Sequence, residues 1–555
     1  MRRLLIISVL LLCYSISIYC QEVEISGKVI NKKGEPLIFA NIAILGSFDG
    51  TSTNENGKYN FKTIEKGKHV LAVSFIGYEP VEKEINIENN NIVINFILSP
   101  TYNKLDAIVI TAGTFEASDK KRTVVFRAAD IGTTAGAMGD VTGAIETLPG
   151  TQIVGESNGL FVRGGSGTES KIIIDEMVVQ DPYYSPVPDI KQRGRFDPFM
   201  FSGTVFSSGG YSALYGQALS STLILKSKGL ADSTNTGGGL YAYGANLFHV
   251  HRWNKTSIYL NGTYNNLEPY HKIFKQLTDW KKSPENIGGK LIFRHKISES
   301  GIIKFYSNFS RTNMAINYDN IDDFSQKSLF ELQNDNLYIN SSYKQYFKEE
   351  KWSVFLGTSY SKDKDDASMD NLHMSEDEKL VQGKVIITNR SFSKASFYLG
   401  AEIQDLIIIG KKDQIKGDIR EVYFAGFFET DWSISEKLAA RIGFRYEYSD
   451  LLKKNNIAPR TSLAYKTGEN SQISFAYGRF YQTPENDFLY YDNNLNFENS
   501  THYIANYQWM KNNKTFRIEF YNKKYDNLIK NTADQDNIFN NSGIGYARGI
   551  DLFWR

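Results

Sequence analysis

The chain has 555 residues, with 63 Lys and Arg against 62 Asp and Glu, a formal net charge of +1. That length allows several domains, and so even a balance leaves no electrostatic footprint for nucleic acid. Aromatic residues make up 14%, including 34 Tyr and 35 Phe, a bias toward strands and membrane interfaces, where an apolar ring and a wet hydroxyl are both satisfied.

Residues 1–20 read as a secretory signal peptide. Arg2 and Arg3 supply the charge, and Leu4 to Leu12 is an apolar run broken by Ser8. The run is too short to span a membrane as a helix. Cleavage is expected after Cys20, because Tyr19 is too bulky for the small residue that precedes a lipidated cysteine. Both cysteines, Cys13 and Cys20, lie in this segment, so the mature chain has no disulfide or thiol chemistry. No later segment reads as a transmembrane helix. The mature chain is therefore soluble or crosses a membrane as strands.

Residues 22–99 predict about seven short strands and a β-sandwich. Ile25, Gly27 and Val29 mark the first. Leu37–Leu45, a strand opening at Gly57–Phe61, His69–Phe75, Val81–Ile87 and Ile92–Leu98 follow. His69 is read as a strand residue. The stretches GKVIN, GEPL, NENGKYNF and FIGYEP resemble the carboxypeptidase-regulatory-like domain at the N-terminus of Bacteroidetes outer-membrane receptors, a module without a catalytic set.

Leu105, Asp106, Ala107, Ile108, Val109, Ile110, Thr111 and Ala112 form an extended, β-branched peptide suited to strand addition at another protein's sheet edge. At Gly113 the composition shifts to Gly, Ala and Thr. A helix is expected near Asp140–Leu148, ended by Pro149–Gly150. Then come GLFVRGG, KIIID and SALYG. In this order the segments resemble a TonB-dependent outer-membrane receptor of Bacteroidetes type: a TonB box at 105–112 and a plug at 113–230. The plug motif maps onto Arg163, Gly164, Gly165, Asp175, Tyr215 and Gly216. Gly164, Gly165 and Gly167 lack the spacing of a phosphate loop, and Lys171 lies on a strand rather than opening a helix. They suit tight turns and close backbone contact with a barrel wall, and Arg163 is a candidate to pair with a wall carboxylate.

Gln180–Met200 has neither strand nor helix period and carries four prolines. The resemblance implies that it rises to the outer mouth and touches substrate. Tyr183, Tyr184, Arg193 and Arg195 are the candidate contacts, since tyrosines stack on flat ligands and arginines hold anions.

From 237 to 555, short turns alternate with longer connections, the mark of an outer-membrane barrel. Short turns centre on Asn254–Lys255, Glu299–Gly301, Lys348–Lys351, Ser393–Lys394, Glu436–Lys437, Gly468–Asn470 and Asn512–Asn513, and one more near Leu451–Asn455. Longer connections are expected at 274–285, 319–332, 363–378, 411–419, 485–499 and 531–542. The acidic run Lys362–Glu378 is read as a solvated outer loop. Phe424 and Phe428 alternate with Ala425 and Phe427 across two faces. The count is 16 strands, two of them from a hairpin in 237–253. A plug of about 115 residues suits a lumen of the 22-strand kind, so about six strands are expected beyond Arg555. The fold class is thus mainly β: an Ig-like sandwich, an α+β plug and a transmembrane antiparallel barrel.

His249 and His251 share a strand face and are read as ordinary strand residues; no metal site, cofactor or catalytic set is expected. The resemblance implies no enzyme but active import across the outer membrane, of a siderophore or other metal chelate. The expected partners are TonB with ExbB/ExbD and outer-membrane lipid, with the N-terminal domain in the periplasm. The alternatives are an oligosaccharide importer of SusC type with a SusD-like lipoprotein, or a non-transporting adhesion or assembly barrel.

Overall fold

The computed structural model describes residues 22–554 apart from 32–33, 46, 48, 76–80, 99–113, 119–130, 132–133, 138, 156–157, 299, 321–322, 324, 349, 413–414, 492–493, 512–513 and 532–538. The predicted signal peptide and the predicted TonB box, Leu105–Ala112, lie outside the described residues. Two units divide the chain, Met1–Lys104 and Leu105–Arg555.

The first unit is a sandwich of two four-stranded sheets. β1 (Val23–Asn31) pairs antiparallel with β4 (Lys58–Thr63) and parallel with β7 (Ile92–Val93) and β8 (Phe96–Leu98). The other sheet runs β3 (Gly50–Ser52), β2 (Asn41–Ile44), β5 (Gly67–Ser74), β6 (Val81–Ile87). Alternate residues Val23, Ile25, Val29, Ile42, Ile44, Leu71 and Val73 fill the core between them, as the period-2 pattern dictates. The predicted strand at 37–45 begins only at Asn41. Phe39 has φ +61°, a conformation that stops a strand. The strand predicted at 92–98 is two short strands, and β3 was not foreseen.

The second unit holds a plug and a barrel. The plug sheet runs β13 (Met177–Val178), β12 (Ser170–Ile174), β15 (Ser221–Ser227), β14 (Phe201–Ser207), β9 (Thr114–Ser118), and its central β12–β15 pair is parallel. β11 (Phe161–Val162) pairs with β10 (Thr151–Gln152). The predicted helix is shorter, α1 (Val141–Ile145), capped by Asp140, which accepts from the Thr142 N–H at 3.3 Å. Its apolar face packs into a core shared by Leu148, Ile172, Leu223 and, from the barrel wall, Tyr306 and Tyr338. Plug and wall therefore share one buried cluster.

Sixteen antiparallel strands, β16 (Asn235–Tyr241) to β31 (Phe539–Trp554), pair in sequence order. The hairpin predicted in 237–253 is β16 with β17 (Gly244–Arg252). Among the described residues, β16 and β31 each pair on one side only. The face alternation is clean: Phe424 and Phe428 are 42% and 38% exposed, while Ala425 and Phe427 are buried. An outward apolar face with polar residues turned inward is what a lipid-facing barrel requires.

Two predicted loops are strands. The acidic run lies in a hairpin of β22 (Trp352–Met369) and β23 (Leu372–Asn389), whose ladder continues to Met369↔Leu372. β24 (Ala395–Lys412) and β25 (Ile415–Ser433) likewise close tightly where a loop was expected at 411–419. At 319–332 only 320–326 separate β20 (Gly301–Asp319) from β21 (Lys327–Phe347). Low hydropathy suggested loops, but a barrel's inward residues are polar, so hydropathy cannot tell a lumen-facing strand from a solvated loop. The connection after β28 (Ser471–Gln482) is long and carries a helical turn, α2 (Glu268–Ile273) being its counterpart between β18 (Thr256–Asn266) and β19 (Asp279–Ser298); this later turn is α3 (Asn486–Leu489).

Candidate functional site

Between the plug and the barrel's long-connection end lies a cavity of about 530 Å³. Its floor is plug: Lys171 of β12, Gln217, and the Val178–Pro186 segment. Its walls are the four neighbouring strands β22 to β25, Gln482 at the end of β28 and the 483–487 connection. The volume is that of a small-molecule site.

The plug motif holds the plug together and ties it to the wall; its six residues lie outside the cavity lining. Arg163, φ +51°, is buried and extends into the wall. Its Nε and Nη2 donate to Asp551 at 2.9 and 2.7 Å, Nη2 also donates to Glu519, and its guanidinium lies 4.5 Å from the centre of the Tyr521 ring. Gly164 has φ +79°, and a Cβ there would sit 3.1 Å from Ala547 on the wall. Gly165 packs against Ser220 and Glu169 with no room for a side chain. Asp175 closes β12 onto β15, accepting from the Ser227 N–H at 2.9 Å, from the Ser227 hydroxyl, and from Lys304 Nζ at 3.3 Å. Burial alone would raise the Asp175 carboxyl; Lys304, Ser227 and Arg294 hold it below its ordinary range instead. Tyr215 donates to Glu176 at 2.6 Å, and its carbonyl accepts from Arg460 of the wall at 2.7 Å. Gly216 sits against Arg445 and Glu447, again without space for a Cβ.

The four predicted contact residues divide. Tyr183, Tyr184 and Arg195 line the cavity; Arg193 is exposed and not among the lining residues. The segment folds back on itself through Tyr184 N–H to Arg193 O at 3.0 Å and Arg195 N–H to Pro182 O at 2.9 Å. That turns Arg195 inward. Its guanidinium donates to Ser310, Asn334 and Asp363 at 3.2, 3.1 and 3.3 Å. Arg195 thus ties plug to wall and is already matched to a carboxylate.

The sequence reading missed what lines the rest. Inward positions of the acidic hairpin bring Asp363 and Asp365 from β22 beside Glu376 and Glu378 from β23. Glu421 of β25, Glu485, Asp487 and plug Asp181 complete the ring, against the two cations Lys171 and Arg195. The plug reaches four of these carboxylates: Ser185 to Asp365 at 2.6 Å, Gln180 to Glu378 at 2.9 Å, Thr168 to Glu485 at 2.6 Å, and Arg195 to Asp363. Burial, then the neighbouring Asp363, pushes the Asp181 carboxyl well above its ordinary range. Burial pulls the Lys171 ammonium down, opposed by Glu485 and Glu378. The available signal was spacing: carboxylates at i and i+2 share one face of a strand. His249 and His251 lie side by side, rings 5.9 Å apart. Among the described residues no group of three or more His, Cys, Asp or Glu is placed to hold a metal ion.

A plug sheet held by buried ion pairs to the wall of a lipid-facing β-barrel defines a plugged outer-membrane receptor. The chain belongs to the TonB-dependent receptor family: residues 194–555 match the model "TonB dependent receptor-like, beta-barrel", and residues 25–110 match the CarboxypepD_reg-like domain. The family is one of outer-membrane receptors and transporters, not of enzymes. Among curated relatives, the TonB-dependent receptor SusC of Bacteroides thetaiotaomicron is 29% identical over 178 residues, 30% of this chain and 17% of that protein. The TonB-dependent receptor P39 of Formosa agariphila is 27% identical over 219 residues, 36% and 19% respectively. These matches therefore span less than a fifth of each relative's length. Among solved structures, the siderophore receptor PirA from Pseudomonas aeruginosa superposes with a TM-score of 0.60 at 13% identity, covering 80% of this chain and 81% of that one. The alcaligin outer-membrane receptor FauA from Bordetella pertussis gives 0.57 at 12% identity, covering 80% and 76%. At such identities the likeness is one of fold.

Proposed function

We propose that this receptor imports a ligand actively across the outer membrane, seating it in the cavity above the plug. The observation that carries the reading is that cavity: its floor is plug, its walls are barrel, and charged plug side chains join the two. Anything bound there touches both parts and can alter their contact. The energy-coupling protein TonB adds a strand to Leu105–Ala112 and pulls, and the plug rearranges to open a path. ExbB/ExbD transmit the inner-membrane proton gradient, so no nucleotide site is needed. The 22–99 sandwich stands in the periplasm.

For the cargo, a siderophore or other metal chelate is supported by the siderophore receptor PirA, which shares the fold. The SusC match supports a second reading, an oligosaccharide importer working with a SusD-like lipoprotein.

The test is Ile108→Pro. Proline removes a ladder donor and blocks strand addition. Uptake should be lost in the native host while surface binding of the same ligand persists. Equal loss of both would make the segment structural and overturn the coupling mechanism.

A further inference from the structure

The cavity's fixed charge is one-sided. Eight carboxyl groups, of which burial pushes Asp181 toward its neutral form, face two cations, and Arg195 is already taken by Asp363. The neutral donors that reach the acids, such as Gln180, Ser185 and Tyr490, satisfy hydrogen bonds without cancelling charge. A second observation is independent of charge. Gln482 lines the cavity at 5% exposure; its Nε2 donates to Thr168 O at 3.3 Å, and its Oε1 has no partner. Asp181 Oδ2, on the plug side, is likewise shut from the surface and without a partner. The Gln482 oxygen is an acceptor, and a buried acceptor left unpaired costs free energy until a donor arrives; the Asp181 carboxyl, pushed toward its protonated form by burial, can accept or donate. Gln217 adds one unpartnered donor, Nε2, which suits a single ligand oxygen. The complement that unpaired acceptors and surplus carboxyl groups lack is a set of N–H donors on an organic cation.

We propose that the cavity takes a cationic ligand bearing amine or guanidinium groups and rejects anionic chelates. This rests on the import reading only for the cavity being the ligand's seat. A positively charged ligand is drawn into a low-dielectric cleft of opposite sign. Guanidinium forks match paired carboxylates such as those across the β22–β23 hairpin.

The test is calorimetry on the purified full chain in detergent, with spermine and triarginine as cationic probes and a ferric tris-catechol chelate as the anion. At low salt both cations should bind, the anion should not, and added salt should weaken the cations. The double variant Glu376→Gln/Asp487→Asn, with wild-type heat-modifiable mobility on gels, should lose at least about tenfold in cation affinity. Tighter binding of the anion, no binding of either cation, or unchanged cation affinity in the folded double variant would each overturn the proposal. No coupling protein is present in this assay, so its failure leaves the import reading standing. Cation binding without TonB-dependent uptake would instead strike the import reading alone.

Discussion

Asp363 and Glu378 are direct cross-strand partners in the β22–β23 ladder, and both are buried toward the lumen. Two positions along, Asp365 faces Glu376 in the same way. Carboxylates directly opposite repel when both are ionised, so each pair carries a cost that grows as its acids lose their protons. The fold offsets part of it locally: Asn334 donates to Asp363 and Asp365, and Asn336 to Asp363 at 2.7 Å. On the β23 side Gln180 and Asn486 donate to Glu378 at 2.9 and 3.1 Å and Tyr490 to Glu376 at 3.0 Å, but these neutral donors leave the charge in place. Neutralising Glu376 there should relieve repulsion by Asp365 and by the adjacent Glu378. Glu376→Gln is therefore expected to stabilise the barrel by about 0.2–1 kcal/mol, read as a higher midpoint for the heat-induced gel shift. A lower midpoint would show that the Tyr490 hydroxyl, 3.0 Å from Glu376, needs the carboxylate more than the hairpin resents it.

Arg163→Ala should loosen the plug without dissolving the barrel. The side chain is the shared partner of two wall carboxylates, Glu519 and Asp551, with Glu519 almost fully enclosed. Truncation leaves buried negative charge short of its counterion, a loss of about 3–5 kcal/mol for such a pair. Arg517 also pairs with Glu519 and limits the damage to the Asp551 side. Limited proteolysis should cut the plug faster in the variant at unchanged barrel mobility on gels. Equal cleavage rates would mean the ion pair holds nothing that packing does not.

Much of the fold is legible in the sequence itself. The alternation Phe424–Ala425–Phe427–Phe428 fixes a sheet whose faces meet lipid and lumen, and the short connections at Asn254–Lys255 and Gly468–Asn470 set strand ends correctly. The acidic hairpin was not legible by the same rule, because polar strands facing a lumen and polar loops share one composition. Arg193 and Arg195 were indistinguishable in sequence. What separates them is the backbone closure through Pro182 and Arg193 carbonyls, between residues about nine and thirteen apart, which no local pattern encodes.

Gly216→Ala should cost about 1–3 kcal/mol, the usual range for overpacking a filled site. A methyl there would overlap the Arg445 guanidinium and the Glu447 carboxylate, which are tied to each other at 2.7 Å and to Tyr423 and Glu402. A network so connected has little freedom to move aside. Gly262→Ala is the matched control, since a Cβ at that position meets nothing within 4 Å. The first variant should give less folded, heat-modifiable protein and the second a wild-type yield. Equal yields would show that the network relaxes freely.

Asp181 should make stability depend on pH in the direction opposite to an ordinary paired carboxylate. Burial and the adjacent Asp363 raise its folded-state pKa well above 3.8. The folded chain therefore binds this proton more tightly than the unfolded chain does. Its contribution is fully present below the unfolded pKa and is lost as pH rises through the raised folded value. Asp175 runs the other way: its folded pKa is depressed, so its contribution is present above the unfolded value and fails only in stronger acid. In the window above pH 4, where Asp175 is constant, acidification should stabilise the plug through Asp181. Asp181→Asn removes the titrating group but keeps an acceptor oxygen beside the cavity. The variant should be more stable than wild type at neutral pH, and the gap should narrow as the pH falls toward 5. Thermal unfolding of both proteins across that range reads the difference directly. A constant gap, or one that widens in acid, would show that Asp181 stays charged in the folded plug.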